Sequence, residues 1–295
     1  MEKSRHMDAD EARTIAFRCH RALDPLHSTI YFAPEADDHF AAIGLRPGRM
    51  TYFASRSAPL GRPGPATVAA TFYNFNPELV ARYIPRAWTL AEPARILDAR
   101  FELADLLLRR LLGDTVATPE VAEAAGLARE AADGCTPEGR PLYAGHAELE
   151  WPKEPHVVLW HAATLLREYR GDGHIAALVA NGVGALPALI THTATGRGFA
   201  PAAAKALRGW SEDEWAAAVA GLREDGVLDA GGGLTADGQA LRDRIEDQTN
   251  AAAVAPWRRL GAEKAARLAD LGRMLSRAVV EAGAYPEGIF AAPRS

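Results

Sequence analysis

The chain has 295 residues, enough to bury a large core and to hold two domains or more. Its 48% hydrophobic and 24% charged residues fit a globular protein, and a formal charge of −5 gives no general attraction to nucleic acid. Two cysteines, Cys19 and Cys135, exclude a disulfide framework, and neither a signal core nor an uninterrupted apolar span is present, so a cytoplasmic protein without a membrane partner is expected.

Ala12, Ile15, Ala16, Cys19 and Leu23 recur at helical spacing, which predicts a helix over residues 9–24 that Pro25 bends or ends. Downstream, Glu35 and His39 share a face if that stretch is helical, with His27 as a third group. Such a set can hold zinc or iron, but its spacing is too common to assign a metal. Residues 45–65, rich in glycine, proline and arginine, read as an ordered connection or lid, and their glycines lack nucleotide-loop spacing. Asn76 and Pro77 then supply the cap and first residue of a helix running toward Tyr83. Phe72, Tyr73, Phe75, Tyr83 and Trp88 form an aromatic section, read first as core and second as the wall of a hydrophobic cavity.

Residues 94–112 predict a deeply buried helix stopped by Gly113. Thr118, Pro119 and Glu120 open the next, where VAEAAGLAREAA has the helix–turn–helix pattern with Gly126 in its turn. Residues 136–156 form an irregular bridge. Trp151 packs it as a linker or, with Glu148 and His156, closes one side of a pocket. The chain is organised around residues 161–181, HAATLLREYRGDGHIAALVAN. Leu159, Ala162, Leu165, Leu166 and Tyr169 predict one helix ended by Gly171, and Asp172 caps a second. Arg167, Glu168, Arg170, Asp172 and His174 crowd that corner, as a solvated turn or as a pocket wall.

Further on, His192 stands between two threonines, either as a polar ligand contact or as a satisfied core histidine. Ser211 and Glu214 form a capping box for a helix ending near Arg223. A short strand after Gly226, a turn at residues 231–233, a return at Leu234 and a cap at Thr235 give the order helix, two-stranded wing, helix. Leu260, Leu268, Leu271, Leu275 and Val279 line a last helix that packs across a domain interface or forms a homodimer.

The expected fold is therefore mainly α, a helix-turn-helix/winged-helix architecture with small β wings and two related winged-helix modules. Residues 1–112 form a helical N-terminal region with an irregular Gly/Pro-rich segment, and residues 113–156 a helix-turn-helix-like segment and bridge. Residues 157–249 form a winged-helix domain, and residues 250–295 a C-terminal packing or dimerisation helix.

Residues 157–249 resemble the winged-helix domain of MarR-type regulators, above all in GVLDAGGGLTADGQALRDRIE. More broadly, YFAPEA at residues 31–36, TFYNFNP at 71–77, GRPLYAGHAELEWP at 139–152 and LREYRGDGHIAAL at 166–178 resemble the actinobacterial SalK-like helix-turn-helix proteins. That resemblance covers nearly the whole chain. It implies an association with specialised metabolism and carries no established reaction or functional residue.

The sequence departs from a DNA-binding pattern where contact matters. Glu212, Asp213 and Glu214 lead the expected recognition helix, and the wing DAGGG holds no cation, so nucleic acid is not an expected partner. The function expected first is binding of a small organic molecule by a winged-helix scaffold, with His161, Arg167, Arg170, His192, Trp151 and Tyr73 as ligand-binding residues. The alternatives are an enzyme of specialised metabolism in which His174, Glu168 and Asp172 carry catalysis, and a ligand-responsive transcriptional regulator. A metal held by His161, His174 and His192 is a further arrangement that the spacing does not assign, and no cofactor is identified. A nucleophile elbow, a Walker loop and the CxxC and HExxH motifs are all lacking.

Overall fold

In the computed structural model, which describes residues 7–286, Asp8 accepts the Glu11 amide at 2.8 Å and caps α1 (Ala9–Ser28). Pro25 lies inside that helix, which continues past it for one more turn. The N-terminal half then runs through α2 (Glu35–Ala41), α3 (Arg49–Ser57), α4 (Pro65–Phe72), α5 (Pro77–Tyr83) and α6 (Pro93–Leu112). α7 (Pro119–Ala132) and α8 (Pro141–Ala147) lead to α9 (Pro155–Ala180), the longest element. α10 (Ala185–Ala194), α11 (Pro201–Arg208), α12 (Glu212–Glu224), α13 (Ala236–Ala252), α14 (Ala255–Leu260) and α15 (Ala262–Glu281) complete the chain. Proline in the first turn starts α4 through α9, α11 and α14, where its missing N–H costs nothing.

α9 is the axis on which α1, α6, α7, α8 and α13 pack. It is one helix through Gly171, where the sequence predicts a break. Glycine at this point serves close approach: a Cβ on Gly173 would stand 2.9 Å from Arg140 Nη1 and 3.2 Å from Ala252 Cβ. Asp172 caps a different helix from the one expected. Its Oδ2 accepts the Leu142 and Tyr143 amides at 3.1 and 2.9 Å, which caps the first turn of α8. Two other expectations are also corrected. The helix–turn–helix expected at Gly126 is the continuous α7, because Val121, Ala124, Ala125, Ala128, Ala131 and Ala132 keep one buried stripe through it. The connection or lid expected within residues 45–65 contains α3, whose residues Met50, Phe53 and Ala54 belong to the main core.

The winged-helix architecture is overturned. Among the described residues there is no β-strand; Leu228 and Leu234 form an isolated antiparallel bridge. Asp229 N donates to Gly233 O at 2.9 Å and Asp229 Oδ1 accepts the Gly233 amide, so the side chain closes the turn before a ladder can extend. The small β wings and the MarR-type likeness fall with it. The flanking caps are as the sequence predicts. Ser211 and Glu214 form the capping box of α12, and Thr235 accepts the Gly238 amide at the start of α13.

What remains is a pair of short helix–turn–helix units. α4 and α5 are joined by residues 73–76, α11 and α12 by residues 209–211. Their turns meet: Asn76 N donates to Arg208 O at 2.9 Å, and Trp210 Nε1 to Asn74 O at 3.0 Å. Among the described residues no single helix is long and apolar enough to cross a membrane; α9 with α10 passes that test only as a pair bent by 104°.

Candidate functional site

α9 carries Glu168 into the interior at 1% exposure, opposite Arg56 of α3. Arg56 Nη2 and Nε donate to the two carboxylate oxygens at 3.0 and 3.2 Å, and Arg167 Nη1 donates to Oε2 at 2.6 Å. Burial raises the Glu168 carboxyl, but the Arg167 and Arg56 guanidiniums outweigh it and hold the group well below the usual carboxylate range. Arg56 also donates to Tyr52 Oη at 3.0 Å and lies 4.6 Å from the Phe72 ring centroid, so its planar head is enclosed by aromatic groups.

His27, at the end of α1, completes this centre. Thr164 Oγ1 donates its only proton to Trp160 O at 2.9 Å, so the 2.9 Å contact between His27 Nδ1 and Thr164 Oγ1 must have the imidazole as donor. That tautomer leaves His27 Nε2 as a lone pair 4.0 Å from Glu168 Oε1, with no hydrogen-bond partner among the described residues. Burial pushes His27 well below its ordinary value, so the ring is neutral. A proton donor bridging the two acceptors satisfies both.

The structure brings Arg167 and Glu168 together and disperses the other residues marked in the sequence. Asp172 caps α8, and burial raises its carboxyl to about 6. His174 Nδ1 lies 2.9 Å from Thr249 Oγ1 on α13, and burial lowers the ring to about 3. Arg170 donates to Glu246 and to Asn250 Oδ1, a tie between α9 and α13. At the opposite end of α9, His161 meets the edge of Trp151 at a centroid distance of 4.9 Å, and Arg129 lies over the Trp151 ring. His192 sits against Gly198, where a Cβ would come within 2.7 Å of its Nε2. Tyr73 donates to Val183 O at 2.6 Å and takes a left-handed backbone (φ 58°) at the α4–α5 turn.

His27, Glu35 and His39 do not converge. Glu35 pairs with Arg110, and His39 Nε2 lies 2.9 Å from Ala99 O. No group of side chains able to hold a metal occurs among the described residues. Arg56 and Tyr52 escaped the sequence reading because residues 45–65 looked like a connection. The available signal was SRS at residues 55–57, polar residues in an otherwise apolar helix. A narrow cleft lined by His20, Leu23, Asp24, Arg167, Arg170 and Trp257 flanks the centre, and a groove along α15 is open to solvent. Neither supports the small-molecule-binding winged-helix protein expected from the sequence, and that reading is withdrawn along with the wing.

The paired α4–α5 and α11–α12 turns make this an all-helical protein of the helix-turn-helix class. The family comparison is specific: a model described as a helix-turn-helix family matches residues 16–286, and the chain belongs to that family. No curated protein and no solved structure matches it. Helix-turn-helix domains typically engage nucleic acid, so the expectation that set nucleic acid aside is corrected.

Proposed function

We propose that the protein engages nucleic acid as a helix-turn-helix regulator, and that α4–α5, rather than α11–α12, presents the contact surface. Family membership across residues 16–286 is the observation that carries this reading. Charge selects the surface. Around α12, Glu212, Asp213, Glu214, Glu224 and Asp225 are exposed, and Lys205 is tied to Glu212. Around α5, Arg82 and Arg86 are exposed, as is Arg46 ahead of α3, and Arg49 is half-buried at the start of α3. The turn at Arg86–Thr89 packs on both α3 and α5. Among the described residues none of the four is in an ion pair. Phosphate contact by such groups is sequence-independent and salt-sensitive. A cytoplasmic location accords with this role.

The test is binding of labelled genomic fragments across a salt series. Wild-type affinity should fall steeply with salt. Arg82→Glu with Arg86→Glu should reduce the log–log slope by about 0.9 for each phosphate that the protein then leaves unneutralised. Arg223→Glu on α12 serves as the control. Absence of binding at low salt, or an equal effect in the control, sinks the proposal.

A second reading rests on one observation, the unpartnered His27 Nε2 facing the Glu168 carboxylate. In it the protein is an enzyme of specialised metabolism in which Glu168 and His27 exchange a proton with a bridging substrate group, and Arg56 and Arg167 hold the charge. Glu168 keeps the catalytic role suggested by the sequence, and Asp172 and His174 position the helices around it. Purified protein incubated with cell extract should deplete a component that His27→Gln leaves unchanged. An extract identical before and after incubation with the wild type rules this reading out.

A further inference from the structure

We propose that Arg100, His146 and His161 enclose a binding site for a small monovalent anion, of the size range from halide to nitrate. Arg100 is 1% exposed, and its one hydrogen bond is from Nη2 to Tyr31 Oη at 2.8 Å; among the described residues Nε and Nη1 have no partner. His146 and His161 are equally buried, with His146 Nε2 and both ring nitrogens of His161 unpartnered. Five buried polar atoms on three side chains therefore lack partners. Native interiors seldom leave such groups bare, and a bound water or ion is a common reason where they do.

α6 and α8, which carry Arg100 and His146, both pack on α9, which carries His161. Arg100 and Phe101 of α6 oppose Trp160 and His161 of α9: Arg100 Cζ is 5.0 Å from the Trp160 ring centroid, and the Phe101 and His161 centroids are 5.3 Å apart. α8 packs on α9 and brings His146 into the field of both Arg100 and His161. The surrounding charges do not neutralise Arg100. Glu168 is taken up by Arg56 and Arg167, and Arg167 also reaches Asp24 at 4.0 Å. Arg129, on α7, adds a further cation near His161. Among the described residues no carboxylate lies within ion-pair distance of Arg100.

A guanidinium buried without a counter-charge is far costlier than a buried ion pair. Burial lowers both histidines, His161 to about 4, so the rings are neutral and add N–H donors rather than further charge. A water would leave Arg100 uncompensated; an anion compensates it and accepts from the free Arg100 N–H groups and from one N–H of each neutral ring, the second His161 nitrogen being a lone pair that it does not serve. Phe101 packs edge-on to Trp160, and Trp151 edge-on to His161, so the surroundings are aromatic and favour a small guest. This site is independent of the α4–α5 surface and of the proton exchange at Glu168.

The test is thermal melting of full-length protein dialysed into sodium gluconate, an anion too large for the site, then exchanged at constant ionic strength into bromide, nitrate or formate. The wild type should gain several degrees in a saturable manner, and Arg100→Met should show no anion-specific gain. Equal melting of the wild type in all salts, or the same gain in Arg100→Met, overturns the proposal. If Arg100→Met does not fold, crystals of the wild type grown in bromide decide. An anomalous peak within hydrogen-bond distance of Arg100 and His161 supports the site, and water alone there refutes it.

Discussion

Asn76 Nδ2 donates to both carboxylate oxygens of Glu214, at 3.1 and 3.4 Å, so the residue that caps α5 grips the third residue of α12. Glu214 at the same time accepts the Ser211 amide at 2.8 Å. One carboxylate thus closes the capping box of the second helix–turn–helix unit and fastens it to the first. The carboxylates that make α12 a poor phosphate reader have an evident structural use in Glu214.

Replacing Asn76 with alanine removes both the cap on Glu78 N and the link to Glu214. Loss of the cap alone costs about 0.5–2 kcal/mol. Urea unfolding of Asn76→Ala and Glu214→Ala, singly and together, should show coupling: the double variant loses less than the sum of the singles. Strict additivity would mean that the two turns are independent.

Gly238 marks where the hairpin docks on α13. A Cβ there would stand 2.1 Å from Val227 O, a backbone atom that cannot swing aside. Gly171 is the contrasting case, because its nearest neighbours, Arg167 Nη1 at 3.3 Å and Glu168 Oε2 at 3.5 Å, are side-chain rather than backbone atoms. Gly238→Ala should therefore destabilise strongly, beyond the usual ~1 kcal/mol of a surface change, whereas Gly171→Ala should be neutral or gain up to about 1 kcal/mol of helix propensity. Differential scanning calorimetry of the two variants checks the contrast.

Caps and stops were legible in the sequence because they are local. Asn76–Pro77, Gly113, Ser211–Glu214 and Thr235 each act within one turn of their own residue. Asp172 and the glycine beside it misled because their roles are set by distant partners. Gly173 needs Arg140 and α13 beside it, and Asp172 serves α8. The hairpin makes one bridge where its spacing predicted two strands. Of the candidate centre, Arg167 and Glu168 stood out as charges on an apolar helix. Arg56 and His27, 112 and 141 positions from Glu168, share no local pattern with it and meet it only through the packing of α1 and α3 on the core.

The Arg56–Glu168 pair should be stabilising only while intact. Arg56→Met leaves Glu168 with Arg167 alone in a dry site, and loss of one partner from a buried pair costs about 3–5 kcal/mol. Arg56→Met combined with Glu168→Leu strands no carboxylate and should recover a large part of that loss. Chemical denaturation in which the double variant is as unstable as the sum of the singles contradicts this account.

Buried neutral histidines set the acid limit of the fold. His27, His146 and His161 are each 1% exposed and held below their ordinary value by burial, so they stay neutral in the native chain and bind protons when it unfolds. For a base whose folded value is lowered, stability falls as pH drops through the unfolded value near 6.5 and continues to fall to the folded one, about 4 for His161. Asp172, raised to about 6, acts in the opposite direction: its contribution is largest at low pH and is lost as pH rises through that value. Near pH 5 the lowered imidazoles, which also include His20, His174 and His192, outnumber the raised carboxyls Asp24 and Asp172, so unfolding takes up protons and stability falls by about 1.4 kcal/mol per pH unit for each net proton. The urea midpoint should therefore drop steeply between pH 6.5 and 4.5, and His161→Phe should reduce that slope by about one proton. Asp172→Asn, whose remaining carbonyl oxygen still accepts from α8, should cost more at pH 4.5 than at pH 7.5. A midpoint flat across this range would show that the imidazoles reach solvent or carry a proton in the folded protein.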